Sequence, residues 1–257
     1  MKTIRSLYLI INYKTLIVTA LSLISTWLCM RYNLQANFPL TLVGIAIVFP
    51  VVFSIDSAYK RRERGLMLLA DFEGHLKALH MASRDWLDIN DQAFIAKFKG
   101  NMVDLYSSIR EYFVSTSPDS LKEELVDIKM KELSESVQEL RNFDLQSGEM
   151  SRVNQYISKL LIDIQNLKTI YQYQTPITLR AYSRVFIYSF PVLYGPYFVF
   201  AAQSYSVGLE YMMPVVFSFI LVSLDNIQMH LESPFDQIGE DDIKFDVEKF
   251  AEAIQKV

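Results

Sequence analysis

The side chains able to do chemistry are few and scattered. The densest group is acidic: Asp236, Glu240, Asp241 and Asp242 crowd a Pro-bearing stretch near the end of the chain. Clustered carboxylates supply the oxygen ligands that a calcium ion takes, although the spacing is not that of an EF-hand loop, and a solvated acidic loop is the competing use. A second group straddles a change from apolar to polar sequence: Asp56, Lys60, Arg61, Arg62 and Arg64. Asp56 and Lys60 stand four apart and would pair on a helix. Turned toward a water-filled passage instead, Asp56 or Arg61 would set the local concentration of ions. The basic cluster also suits contact with anionic lipid headgroups. Catalytic machinery is not visible. His75, His80 and His230 argue against a three-His zinc site, and the lone Cys29 allows neither an intramolecular disulfide nor a CxxC motif. No phosphate-binding loop, GxGxxG, HExxH or GxSxG is found. The expectation is a protein that is not an enzyme and holds no cofactor, calcium being the one ion to consider.

These residues are carried by an apolar chain. Of 257 residues, 51% are hydrophobic and only 21% charged, with a net charge of -4. That composition excludes a disordered, collagen-like or disulfide-rich chain and argues against nucleic acid as the main partner. The apolar residues gather in four blocks: Leu16 to Met30, Phe38 to Ile55, Val185 to Ala202 and Tyr211 to Leu224. The second and third are uncharged and reach the ~18 residues of a membrane-span candidate. The first and fourth are shorter, and read in pairs the blocks form two membrane hairpins. A signal peptide is a poor reading of the first, because Arg31 and Tyr32 follow it with no small-residue cleavage site. Lys2, Arg5 and Lys14 precede the first block, Lys60 to Arg64 follow the second, Arg180 and Arg184 precede the third, and no Lys or Arg occurs from 185 to 243. The positive-inside rule then puts both termini and the middle of the chain in the cytoplasm, with Asp225 the weak point of the fourth exit.

The expected organisation is all-α. A first transmembrane hairpin occupies 1–55, with spans at about 15–31 and 37–56. A helical cytoplasmic region follows over 56–184, then a second hairpin over 185–225 and a cytoplasmic C-terminal segment over 226–257. Helical spacing is read over 60–84, 92–113, 121–140 and 150–171, with Leu66, Leu69, Phe72, Leu76 and Leu79 as one stripe. Ser117-Pro118-Asp119-Ser120 reads as a turn with Pro118 or Ser120 near a helix start, Asn142 to Gly148 as a loop, and Ser233 to Asp246 as non-helical. No breaker separates the second block from the polar helix after it, so one helix is expected to run through both.

Two motifs give the chain a resemblance. Pro39-Leu40-Thr41-Leu42-Val43-Gly44, then Phe53, Tyr59, Arg61, Glu63 and Arg64, resembles the second transmembrane helix of the bestrophin family. Leu231-Glu232-Ser233-Pro234-Phe235 followed by Glu240-Asp241-Asp242 resembles that family's Asn-Pro-Phe-Gly and acidic segment, and Pro176 fits near the last hairpin. Val52 and Asp236 stand where the family has glycine, Ser233 where it has asparagine, and the family's paired tryptophans are missing, which marks a distant bacterial homologue.

The resemblance implies a homopentamer around one central pore, four transmembrane helices per subunit and a helical cytoplasmic part. It implies a neck at Ile45, Phe49 and Phe53. Residues four apart stack along one helical face, and five copies would make apolar rings about 6 Å apart that can bar ions by dewetting. The same residues could equally face lipid or neighbouring helices. Pro50 can kink the helix beside Phe49. By the same resemblance a second, cytoplasmic aperture falls near Ile157 or Leu161, and the segment with Asp236, Glu240, Asp241 and Asp242 becomes a subunit interface or a calcium site. The function implied is an ion channel in a bacterial inner membrane, conducting chloride or other monovalent anions and partnered by copies of itself and by lipid. A cation-selective channel of the same fold, a non-conducting membrane scaffold or receptor, and a secondary transporter are the alternatives. The last is weakened by the lack of a repeated half, although Pro191 and Pro196 break the third block.

Overall fold

The protein is described here from a computed structural model over residues 12–87, 91–115, 117–173, 176–204, 206–237 and 242–256. Among the described residues every regular element is a helix. In chain order these are α1 (Tyr13–Arg31), α2 (Leu40–Asp85), α3 (Gln92–Phe113), α4 (Ser120–Glu139), α5 (Ser147–Gln172), α6 (Ile177–Leu193), α7 (Gly195–Ser204), α8 (Leu209–Glu232) and α9 (Val247–Lys256), with a short 3-10 turn at Leu140–Phe143. They sort into two compact units, Met1–Arg61 with Gln174–Glu232, and Arg62–Tyr173 with Ser233–Val257.

In the first unit, α1 packs on α6, α7 and α8. Its start is fixed by Asn12, whose side-chain oxygen accepts from the backbone N–H of Lys14 at 2.9 Å while its amide donates to Asn226 at 2.8 Å. The end of α6 is fixed from the same helix. The hydroxyls of Ser22 and Ser25 donate to the carbonyls of Pro191 and Val192 at 2.6 and 2.7 Å, which satisfies groups that a terminating helix leaves open. The chain turns at Tyr194 and resumes at Gly195, where a Cβ would meet the Ser25 hydroxyl at 2.8 Å. Only glycine lets α1 come so near. Val18, Ile47, Val51, Ile187, Phe190, Phe198 and Leu221 form the apolar core.

The second unit is a helical bundle around a larger core. In α3, Phe94, Phe98, Met102, Leu105, Tyr106, Ile109, Tyr112 and Phe113 are buried, a stripe with the 3.6-residue period. Leu69, Phe72, Leu76 and Leu79 face it, as the sequence stripe predicts, although Leu66 is only half-buried. Tyr106 stacks on Phe250 of α9 at 4.3 Å, and its hydroxyl donates a hydrogen bond to Glu73 at 2.8 Å. Lys168 is buried but bonded to Asp127 at 2.9 Å and Glu123 at 3.2 Å, so its charge is compensated.

One expectation changes. Only two helices among the described residues are long and apolar enough to cross a membrane, Tyr13–Arg31 and Leu209–Glu232, or three if the bent pair that breaks after Leu193 and resumes at Gly195 counts as one. Four were expected. The third block is interrupted at Tyr194, and the second is not a helix of its own but one end of the 46-residue α2. The turn before α4 lies where the sequence puts it: Ser120 is the first residue of the helix, and Asp119 caps it by accepting from the N–H of Leu121. The continuity of α2 from its apolar to its charged sequence is as expected.

Candidate functional site

The apolar end of α2 has two unlike faces. Ile47 and Val51 are 2% and 1% exposed, and Ser54 and Ala58 are fully buried. Ile45, Phe49 and Phe53 are 49%, 56% and 59% exposed, and Val48 and Val52 accompany them. At ~100° per residue the buried set clusters about 180–240° around the helix from Ile45, while Phe49 and Phe53 lie only about 40° and 80° from it. The three neck candidates therefore share the face turned away from their own unit. Phe49 and Phe53 stack with ring centroids 6.1 Å apart. Pro50 lies within the helix between them.

Below this stretch the charged residues divide. Asp56 and Lys60 pair at 2.7 Å with both side chains well exposed, the i,i+4 pairing read from sequence. Arg61 points the other way. It lies near Glu232 at the end of α8 and Arg180 of α6, attracted by the first and repelled by the second. Glu232 is buried, receives Arg180 Nη1 at 3.2 Å and accepts from the Gln228 amide at 2.9 Å. Two turns earlier on α8, Asp225 takes Arg184 Nε at 3.3 Å and the hydroxyl of Tyr188.

These residues are what reading the sequence missed. Arg180 and Arg184 served there as topology markers, and Asp225 as an anomaly. The available signal was spacing: two arginines four apart on one amphipathic helix, and two carboxylates seven apart on another, can form two rungs when the helices run antiparallel.

The acidic segment is only partly in view. Glu240 and Asp241 lie outside the described residues, and Asp236 and Asp242 are half-buried. Gln237 is the informative neighbour. Its backbone is left-handed (φ 61°), and its amide nitrogen donates to the carbonyls of Ile243 at 2.7 Å and Phe235 at 3.2 Å. A side-chain donor thus gathers main-chain oxygens across this loop. Among the described residues no group of three or more His, Cys, Asp or Glu could hold a metal ion. The two candidates for a cytoplasmic aperture separate: Ile157 is buried in the bundle core, whereas Leu161 on the next turn of α5 is half exposed.

No family model matches the sequence, and no curated protein matches it. Solved structures do. The zinc-phased crystal structure of a bacterial bestrophin homologue from Klebsiella pneumoniae superposes with a TM-score of 0.78 at 16% identity, over 95% of both chains. This is the bestrophin fold. A point variant of that homologue gives 0.78 at 15% identity over 95% of this chain and 96% of the other. A crystal structure described only as a membrane protein gives 0.78 at 16% over 95% of both chains. The resemblance read from two short motifs therefore extends to the fold over 95% of the chain. The chain is an integral membrane protein of this fold.

Proposed function

We propose that this chain is one subunit of a bestrophin-type homopentameric channel, lying in a bacterial inner membrane with both termini cytoplasmic. It passes monovalent anions, chloride among them, through an axial pore. In this reading the apolar end of α2 and the bent α6–α7 pair cross the membrane with α1 and α8, giving four crossings. Ile45, Phe49 and Phe53 form the neck, Leu161 is the better placed residue for a cytoplasmic aperture, and lipid covers the exposed side of α1. No resident cofactor or catalytic step is assigned.

One observation carries the reading: α2 buries Ile47, Val51, Ser54 and Ala58 against its own unit while it leaves Ile45, Phe49 and Phe53 uncovered on the opposite face. Aromatic edges on that face present the positive part of the ring quadrupole, which favours anions over cations. The test is planar-bilayer recording of the purified protein under a potassium chloride gradient. Currents reversing near the chloride potential, and enlarged by Phe53→Ala, are the expected result. Reversal near the potassium potential would replace anion by cation selectivity, and silence from an intact oligomer would leave a scaffold.

A further inference from the structure

Glu232 is an expensive residue to keep. It is 3% exposed, and it is the last residue of α8, where the helix presents carbonyl oxygens and the negative end of its dipole. Burial and dipole both oppose a carboxylate there. The compensation comes from two other helices, with Arg180 of α6 at 3.2 Å and the charge of Arg61 of α2 close by, while Gln228 donates at 2.9 Å. Buried ionic clusters of this kind are seldom the most stable solution, since apolar residues of similar volume often do as well. What they supply is a specific geometry, because an ion pair between α6 and α8 has to form within electrostatic reach of a charge on α2.

The place where they meet gives that geometry a use. Along α2 the buried positions Ile47, Val51, Ser54 and Ala58 recur at steps of four and three, and Arg61 is the next in the series. Arg61 thus ends the packed seam at the edge of the first unit. The charge of Arg61, drawn toward Glu232 and pushed by Arg180, adds a directional preference to the apolar contacts of that seam. Phe53 sits two turns away on the same rigid helix, about 80° around from Arg61. Rotation of α2 at Arg61 therefore turns Phe53 by the same angle.

We propose that Glu232, acting through Arg61, is a positioning residue that sets the rotation of α2 and with it the direction in which Phe53 projects. The inference rests on the channel reading for its functional consequence, though not for its geometry. The full-length protein is used throughout. In bilayers, Glu232→Gln should change open probability by about tenfold, a usual size for coupling between sites, while the oligomer stays intact. Glu232→Asp, which keeps the charge, should fall between Glu232→Gln and the parent. Glu232→Gln should have little further effect in a Phe53→Ala background, because the side chain being aimed is gone. Should Glu232→Gln fail to fold, Arg61→Lys takes its place, keeping the charge but losing the planar fork. A folded Glu232→Gln or Arg61→Lys that gates as the parent does would overturn the proposal, as would effects that multiply independently with Phe53→Ala. If the parent itself is silent, the channel reading has failed, and the positioning claim is read from Phe53→Trp emission after subtraction of Trp27 and Trp86. A spectral shift on adding Glu232→Gln supports it, and an unmoved spectrum refutes it.

Discussion

The upper rung between α6 and α8 makes a prediction whose sign is not obvious from sequence. Asp225 and Arg184 are bonded at 3.3 Å, but they are not equally buried: the aspartate side chain is 1% exposed and the arginine 36%. Removing either partner breaks the same bond and leaves a different orphan. With Arg184→Gln the orphan is a buried carboxylate whose remaining partner is the hydroxyl of Tyr188. Breaking a buried pair in this way costs about 3–5 kcal/mol. With Asp225→Asn the orphan is a guanidinium that can reach water, and the Asn oxygen can still accept from Tyr188. The loss is then that of an exposed pair plus part of a charged hydrogen bond, about 1–2 kcal/mol. For a chain of this size each kcal/mol moves the melting temperature by about 2–4 °C. Arg184→Gln should thus lower the melting temperature by roughly 6–20 °C and Asp225→Asn by roughly 2–8 °C, and the double variant should recover much of the Arg184→Gln loss. Thermal unfolding in one detergent, followed by tryptophan emission, measures all three. An Asp225→Asn variant as damaged as Arg184→Gln, or a double variant no better than Arg184→Gln, would show that the unequal burial does not govern the energetics.

Other outcomes are expected. Gln237→Ala should lower stability by about 1–2 kcal/mol, as two hydrogen bonds to main-chain carbonyls are lost, whereas a calcium chelator should leave the melting curve of the parent unchanged. His80 has its pKa lowered, first by burial and then by Arg84 and Lys99. As pH falls through the free-histidine value of 6.5, the unfolded chain takes up this proton before the folded one does. His80 therefore contributes stability above about pH 6.5 that declines below it, and His80→Leu should flatten that part of a urea-midpoint profile between pH 7.5 and 5. Conductance through Phe49→Ala should rise as for Phe53→Ala, and a Val51→Phe variant should lower stability instead, because Val51 faces the opposite way into the packed core; single-channel amplitude and melting temperature separate the two.

Much of the second unit was legible because water-facing helices declare themselves. Phe94 to Phe113 and Met150 to Ile170 alternate apolar and polar residues with the helical period, and the turn at Ser117 to Ser120 marks where the helix between them begins. In the membrane unit that signal fades. Almost every residue of Phe38 to Ile55 is apolar, so periodicity cannot say which side is packed, and the division between Val51 and Phe53 emerges only from tertiary contacts. The break after Leu193 had a partial signal in Pro191 and Pro196, but its position depends on Ser22, Ser25 and Gly195, which are far apart in sequence. The buried ion pairs were hidden for a related reason. Arg180, Arg184, Asp225 and Glu232 each look like a solvated helix end when read alone, and their meaning comes from the antiparallel approach of α6 and α8.

The bridge made by Gln237 bears on how the protein can be controlled. A divalent ion in such a loop comes and goes with its supply, and the loop then reports that supply. An amide tethered by its own backbone needs no such supply: when water breaks its bonds to Phe235 and Ile243, the same donor is still beside them. A hold of this kind draws on no dissolved ligand, and its strength is set by the chain and the water around it.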